Sequence, residues 1–474
     1  MWADQQHIAP KRSLILAGGG MRVAYQAGVL VALEEAGIRF HHVDGTSGGI
    51  FNTAMLASGL EATEIAERWR SLKIKNFVSG RKFKDYLKPF SMTGYADADN
   101  IRRKVFPHLG IDLHKIRSNN DFNTTFNVCN FSDKTVEAIP NEEVLEDHLI
   151  AGVSLPMMMP ALQIGQDWYT DAVWIKDAHL MEAVRRGAEE LWLVWAIGNS
   201  PTYYPGAFNQ YVHMIEMSAN GALREEFHQI ALINQMIAGG TGTLGQKDPI
   251  RLFVIKAPEP LPLDPDLFFN KINTRELINM GYTHAKDRLA QSPVGPSPMD
   301  AQATKNIEPG TVLSFRAVFD GRLTWANSFT KVLYYSYFRF SSGEEKPVLK
   351  FYSSIFLSHL NQEFIAHSAS IHTIKNKHGL RLTVTSKLLI QGEEHHITSA
   401  FILRSPIDFI IGLEVKSCHL SITNQDGILL EGDLHQSLSQ RLQSCFFSQV
   451  TTGGKKEGIG SKLKMFLKLM DYEV

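Results

Sequence analysis

Residues 13–59 run twice through one local pattern: a short apolar stretch, a glycine-rich turn, then a helix-forming segment. Ser13-Leu14-Ile15-Leu16-Ala17 meets Gly18-Gly19-Gly20, and a helical stretch from Met21 to Ala36 follows, with Gly37 placed as its C′ cap. Phe40 to Val43 then leads into Asp44-Gly45-Thr46-Ser47-Gly48-Gly49 and an apolar helical stretch that stops at Gly59. Strands separated by helices pair in parallel through right-handed crossovers, so this spacing predicts an α/β sheet. The alternation continues downstream. Thr124–Cys129, Leu191–Ile197 and Ile250–Ile255 have strand character, between helices near 179–187, 208–238 and 274–290.

The texture changes at Gln291-Ser292-Pro293-Val294-Gly295-Pro296-Ser297-Pro298, which suits a linker over 291–304. Beyond it, Thr311–Phe319, Val348–Leu357, Leu380–Ile390, Ile397–Leu403 and Phe409–Val415 have strand character at short spacing, with little helical periodicity. Residues 305–474 are therefore expected to form a smaller β-rich domain, barrel or sandwich, of unassigned role. With 474 residues, 44% hydrophobic and 20% charged, the chain has the apolar mass for two such units.

A net charge of -1 offers no global attraction for nucleic acid. Cys129, Cys418 and Cys445 lie far apart without a CxxC pair, which fits reduced intracellular thiols. Lys11 and Arg12 precede only five apolar residues, short of the about 7–15 of a signal-peptide core. Nor is there a run of about 18 apolar residues to span a bilayer. The expectation is a cytoplasmic chain with neither signal peptide nor transmembrane helix.

Gly45-Thr46-Ser47-Gly48-Gly49 fits G-x-S-x-G between a strand and a helix. Such a serine occupies a sharp strand-to-helix turn, and small neighbours let the backbone pack there. Its hydroxyl is presented at the carboxyl edge of the sheet, and the helix behind it aims amide N–H groups at developing negative charge. The plain alternative is an ordinary tight turn. Gly18-Gly19-Gly20-Met21-Arg22 should close its strand at the same edge, offering backbone donors to an oxyanion. A dinucleotide fingerprint would need glycine where Val23 stands, and a phosphate-binding Walker loop would need an absent Gly-Lys-Ser/Thr. A nucleophilic serine also needs a base. Trp168-Tyr169-Thr170-Asp171 places a carboxylate after a short aromatic strand, downstream of Ser154-Leu155-Pro156-Met157-Met158-Met159-Pro160.

In that order, Gly-Gly-Gly-x-Arg, then Gly-Thr-Ser-Gly-Gly, then Ser-x-Pro leading to an aspartate turn, the chain resembles the patatin-like phospholipase family over about residues 12–290. The resemblance implies a three-layer α/β sandwich with a mostly parallel sheet, an acyl hydrolase domain over 1–290, and a Ser–Asp dyad without histidine. Ser47 would be the nucleophile and Asp171 its base. Gly18, Gly19, Gly20 and Arg22 match the oxyanion segment, joined by the residue after the serine, Gly48. The implied substrates are carboxylic esters of phospholipids or related lipids. Two positions depart from the family pattern: Ala172-Val173 follow the aspartate in place of Gly-Gly or Gly-Ala, and Val23 replaces a common glycine. These motivate a second reading, a weak or inactive hydrolase fold that binds lipid or acts as a scaffold. A Ser–His–Asp triad would draw on His179, His213 or His228, but one strand–helix unit before Ser47 is too few for an α/β-hydrolase.

Between 68 and 88, Arg68, Arg70, Lys73, Lys75, Arg81, Lys82, Lys84 and Lys88 face a single acid, Asp85, and Trp69, Phe77, Phe83, Tyr86 and Phe90 are interleaved or adjacent. This composition suits peripheral contact with an anionic membrane, against the plain alternative of a solvated face. Lys462-Leu463-Lys464-Met465-Phe466-Leu467-Lys468-Leu469-Met470 suits either a membrane surface or docking on the β-domain. No metal-ligand spacing occurs, so no metal or cofactor is expected. The oligomeric state is left open.

Overall fold

The computed structural model describes residues 10–77, 79–80, 93–242, 244–291, 293–308, 310–325, 328–342, 347–376, 379–403, 417–425, 427–452 and 455–472. The chain divides into two compact units, Met1–Phe268 with Asp287–Asn306 and Phe269–Lys286 with Ile307–Val474.

In the first unit the glycine turns separate strands from helices as their spacing requires. β1 (Arg12–Leu16) passes through the glycine loop into α1 (Ala24–Glu35), and Gly37 caps that helix at φ +67°. β2 (His42–Thr46) passes through the serine turn into α2 (Gly49–Ala57), followed by α3 (Ala62–Ser71). The sheet continues with β3 (Asn123–Asn130), β4 (Thr135–Pro140), β5 (Leu162–Ile164), β6 (Asp167–Thr170), β7 (Glu190–Trp195) and β8 (Arg251–Lys256), and between the last two lies the long helix α4 (Ala207–Ala238). Its order is β8-β7-β1-β2-β3-β6-β5, with β4 also paired to β3.

The pairs β8–β7, β7–β1, β1–β2 and β2–β3 are parallel, whereas β4, β5 and β6 run antiparallel. The sheet is thus mixed, where the sequence led to a mostly parallel one. The reason is burial. Parallel strands such as β1 and β7 are covered on both faces and appear as apolar runs, while the short, half-exposed strands β5 and β6 at one end of the sheet lack that signature. The proline-rich stretch is tied to β8: the Ser297 N–H donates to the Leu252 carbonyl at 2.6 Å, and the Val254 N–H donates to Ser297 Oγ at 3.0 Å. Among the described residues, no helix is long and apolar enough to cross a membrane.

The second unit holds α5 (Thr274–Leu289) through residue 286, and an antiparallel sheet. Its strands are β9 (Thr311–Trp325), β10 (Ser328–Ser341), β11 (Val348–Leu357), β12 (Gln362–Asn376), β13 (Gly379–Ile390), β14 (Glu393–Leu403), β15 (Ser417–Asn424) and β16 (Gly427–His435), with β17 (Gln449–Thr452) beside β9. β9 pairs along β10 from Val312↔Ser341 to Trp325↔Ser328 and also meets β16 at Asp320↔His435. That contact closes the sheet into a barrel. Alternate residues point inward, as in β13, and build a core around Phe319, Tyr334, Phe338, Phe351 and Phe401. The expected strand Phe409–Val415 lies outside the described residues.

Candidate active site

Ser47 sits between β2 and α2 at φ +51°, a left-handed conformation for a residue with a side chain. Such a position costs on the order of 1–3 kcal/mol and persists only where the surroundings impose it. Here they do. A Cβ on Gly48 would collide with the Gly20 carbonyl and lie 2.9 Å from Val23 Cγ1; one on Gly18 would lie 2.7 Å from Ser47 Cβ and strike the Asp177 carboxyl. Glycine at both positions lets the two loops close on one another.

Beneath the turn runs a buried polar network. Asn127 on β3 donates from Nδ2 to Asp44 Oδ1 at 2.7 Å, Thr46 Oγ1 at 2.9 Å and the Gly45 carbonyl at 3.3 Å. Thr125 Oγ1 donates to Asp44 Oδ2, and the His42 ring links Thr125 and Ser13. Burial pushes the Asp44 carboxyl up to about 7, against the Thr125 and Asn127 hydrogen bonds. It pushes His42 down to about 3, with Arg186 acting in the same direction. The network fixes the end of β2 from below.

Asp171 is delivered by β6. Its N–H donates to the Ser154 carbonyl at 3.2 Å, and its Oδ1 accepts from the Val173 N–H at 2.9 Å. Ser47 Oγ donates to its Oδ2 at 2.7 Å. Burial raises the Asp171 carboxyl to about 7, while the hydrogen bonds from Ser47 and Val173 pull it down. A hydroxyl donating to a carboxylate that ionises near neutrality has the geometry and proton affinity that general-base activation requires. Ala172 sits in a short 3-10 turn without positive φ, so this position makes no use of the freedom that glycine has.

In the glycine loop Gly19 and Gly20 take φ +144° and +59°. Arg22 is buried and braces the loop from within, its Nε donating to the Gly19 carbonyl at 2.9 Å. The Gly18 N–H is engaged by the Asp177 carbonyl at 3.2 Å, whereas the N–H groups of Gly19, Gly20 and Gly48 have no acceptor among the described residues. Three backbone donors thus remain available beside the Ser47 turn. Asp177 itself went unnoticed in the sequence. It is buried with Oδ1 lacking a hydrogen-bond partner among the described residues, and burial followed by the charge of Asp171 holds its carboxyl well above the usual range, against Arg22 and the Gly18 N–H. No motif marks it; only the chain's return past Gly18 brings it here.

The three histidines considered for a triad are engaged elsewhere or exposed. His179 Nδ1 pairs with Asn127 Oδ1 at 3.0 Å, and burial, with Lys176, Arg185 and His42 adding to it, lowers its ring to about 3. His213 stacks on Tyr203 and Tyr204 and accepts from the Tyr204 N–H, and His228 is exposed.

The basic segment divides. Trp69 and Phe77 are core residues stacked 6.0 Å apart, and Arg68 and Arg70 pair with Glu64 and Glu67 along α3. Arg81, Lys82, Lys84, Asp85, Lys88, Phe83, Tyr86 and Phe90 lie outside the described residues. In the tail, the helix Ile459–Met470 buries Met465, Phe466 and Leu469 in the barrel core.

An α/β unit with a serine turn and a glycine loop at one sheet edge is the setting in which the family comparison has its meaning. Residues 14–183 match the family model of the patatin-like phospholipases. A curated relative, lysophospholipase NTE1 of Candida glabrata, is 25% identical over 183 residues, covering 38% of this chain. The match takes in 10% of that relative's own length.

Proposed function

We propose that this chain is a serine lipid acyl hydrolase cleaving carboxylic esters of phospholipids or related lipids, with the activity in residues 1–290 and the three-layer arrangement the family implies. The observation that carries the reading is the 2.7 Å hydrogen bond from Ser47 to a buried Asp171 whose carboxyl ionises near 7. Ser47 Oγ attacks the ester carbonyl carbon as its proton passes to Asp171. The carbonyl electron pair moves onto oxygen, and the N–H groups of Gly19, Gly20 and Gly48 receive that charge. Arg22 holds the loop that presents two of them. Collapse breaks the bond to the alcohol oxygen, which takes the proton from Asp171 and leaves an acyl-Ser47. A water molecule then repeats the sequence with Asp171 as base and releases the acid.

The domain match to patatin-like phospholipases and the lysophospholipase relative support lipid esters as the substrate class. A cytoplasmic protein that reaches its substrate by peripheral contact with a lipid surface fits this reading. The decisive experiment is a panel of phospholipids, lysophospholipids and neutral glycerides with wild type and Ser47→Ala, together with fluorophosphonate labelling. Wild type should hydrolyse at least one lipid class and be labelled at Ser47. Equal behaviour of the two proteins throughout would sink the proposal and favour the lipid-binding alternative.

A further inference from the structure

The helix α4 is anchored in only part of its length. Ala219, Leu223, Phe227 and Ile230 belong to the core of the first unit, but none of residues 207–218 is buried. Within this first third, residues 207–215 carry no Asp, Glu, Lys or Arg, and the one acid, Glu216, has a side chain only 14% exposed, beside His213. On it Met214 and Met217, neighbours at i and i+3, are 50% and 67% exposed. A solvated helix face ordinarily carries charge, so an uncharged one with large apolar side chains marks a docking surface.

The face is continuous with the candidate active site. Tyr211 Oη donates to the Pro156 carbonyl at 2.6 Å, its ring packs edge-on to Trp174, and Ser218 Oγ donates to the Trp174 carbonyl. Trp174 ends the turn that starts at Asp171. Pro156 belongs to the loop in which the Ser154 carbonyl accepts from the Asp171 N–H. In that loop Met157 is 61% exposed and held at φ +70°, with Met158 exposed beside it. Tyr95 and Ala96 donate their N–H groups to the Met157 and Met158 carbonyls and hold the pair outward. A strained, exposed methionine next to a candidate base is kept there against local preference.

We propose that Met157, Met158, Met214 and Met217 form a collar that inserts into the hydrocarbon boundary of a phospholipid surface and brings the ester to Ser47. The inference rests on the acyl-hydrolase reading and names the surface from which that enzyme takes its substrate. Flexible methionine side chains suit a fluid, irregular partner. The absence of charge from residues 207–215, with the Glu216 side chain mostly covered, suits the acyl boundary rather than an anionic headgroup layer. Docking here should therefore survive high salt, unlike docking through the basic segment after residue 68.

Ser47→Ala protein, which cannot turn over the lipid on this reading, is co-sedimented with phosphatidylcholine vesicles in about 0.1 M and about 1 M salt, where the screening length falls from about 10 Å to about 3 Å. Binding is expected to persist at the higher salt. Adding Met214→Glu and Met217→Glu should weaken it by about tenfold or more, since about 1.4 kcal/mol of lost burial is a factor of ten. Met214→Leu with Met217→Leu should retain it. With Ser47 intact, the Glu pair should hydrolyse a soluble short-chain ester within about twofold of wild type. The proposal is overturned if the wild-type face does not bind these vesicles, if 1 M salt releases the protein, if the Glu pair binds unchanged, or if soluble-ester activity falls in parallel with binding. Vesicle binding through the collar without hydrolysis of any ester would leave the docking surface standing and remove the hydrolase reading instead.

Discussion

Ser47 and Asp171 stand 124 positions apart in the chain and share a 2.7 Å hydrogen bond, with Asp171 only 1% exposed. Asp171→Asn keeps the shape and an acceptor for the Val173 N–H, but removes the basicity. Hydrolysis should fall by roughly 10²–10⁴-fold while the protein stays folded, and Ser47→Ala should lose at least as much. Steady-state rates on a soluble ester, beside melting curves, check this. Retention of most activity in folded Asp171→Asn would refute the pairing.

The pH profile follows from the environment of Asp171. Burial raises its carboxyl to about 7, so kcat/KM should climb about tenfold per pH unit below 7 and level off above it. Stability runs the other way for this group. The unfolded carboxyl ionises near 4, so between about 4 and 7 the folded state holds a proton the unfolded state has released, and stability falls as pH rises through that window. Asp171→Asn should therefore flatten the loss between pH 4 and 7, measured by urea unfolding across pH. An unchanged slope, or a rate profile centred near 4, would contradict the burial argument.

Gly18→Ala tests how closely the two loops approach. The new methyl would sit 2.7 Å from Ser47 Cβ and against the Asp177 carboxyl, so one of the loops has to move. Overpacking of this kind destabilises by about 1–3 kcal/mol. Because the displaced element carries Ser47, activity should drop about 100-fold, more than a stability change alone explains. Fluorophosphonate labelling at a temperature where the variant remains folded separates the two effects.

In the second unit, Arg316 on β9 donates to Glu276 on α5 at 2.7 Å and also to the Asn270 and Lys271 carbonyls. Burial raises the Glu276 carboxyl and Arg316 opposes it. Arg316→Met would leave that carboxyl buried without its cation, a loss of roughly 3–5 kcal/mol in a buried pair. The melting transition of the barrel unit should drop accordingly, while ester hydrolysis below that transition stays near wild type. An unshifted transition would show that residues 269–286 do not depend on this pair.

What local sequence settled is local chemistry. The triple glycine and the Gly-Thr-Ser-Gly-Gly turn dictate strand–turn–helix units because only glycine fits φ +144° at position 19 or tolerates the Gly20 carbonyl against position 48. The parallel strands β1, β7 and β8 were legible because burial makes them largely apolar runs. The expectation of an aspartate as partner to Ser47 comes from the family resemblance that the motif order carries.

Composition could not say which way a side chain faces. Trp69 and Phe77 share a segment with exposed basic residues, yet they stack in the core because α3 and the 3-10 turn Ile74–Phe77 after it each turn one side inward. Long barrel strands such as β10 and β12 escaped notice because one of their faces is solvated, which breaks the apolar run; at β10, Phe329 is 82% exposed two residues before Lys331. Asp177 has no signature at all. Its burial, its unpartnered oxygen and its closeness to Gly18 come from chain segments more than 150 residues apart meeting at one sheet edge, and the perturbed acidity of Asp171 comes from that same exclusion of water. Sequence determined which groups were present, and tertiary structure decided their dielectric surroundings, because desolvation depends on what packs around a group and not on its neighbours in the chain.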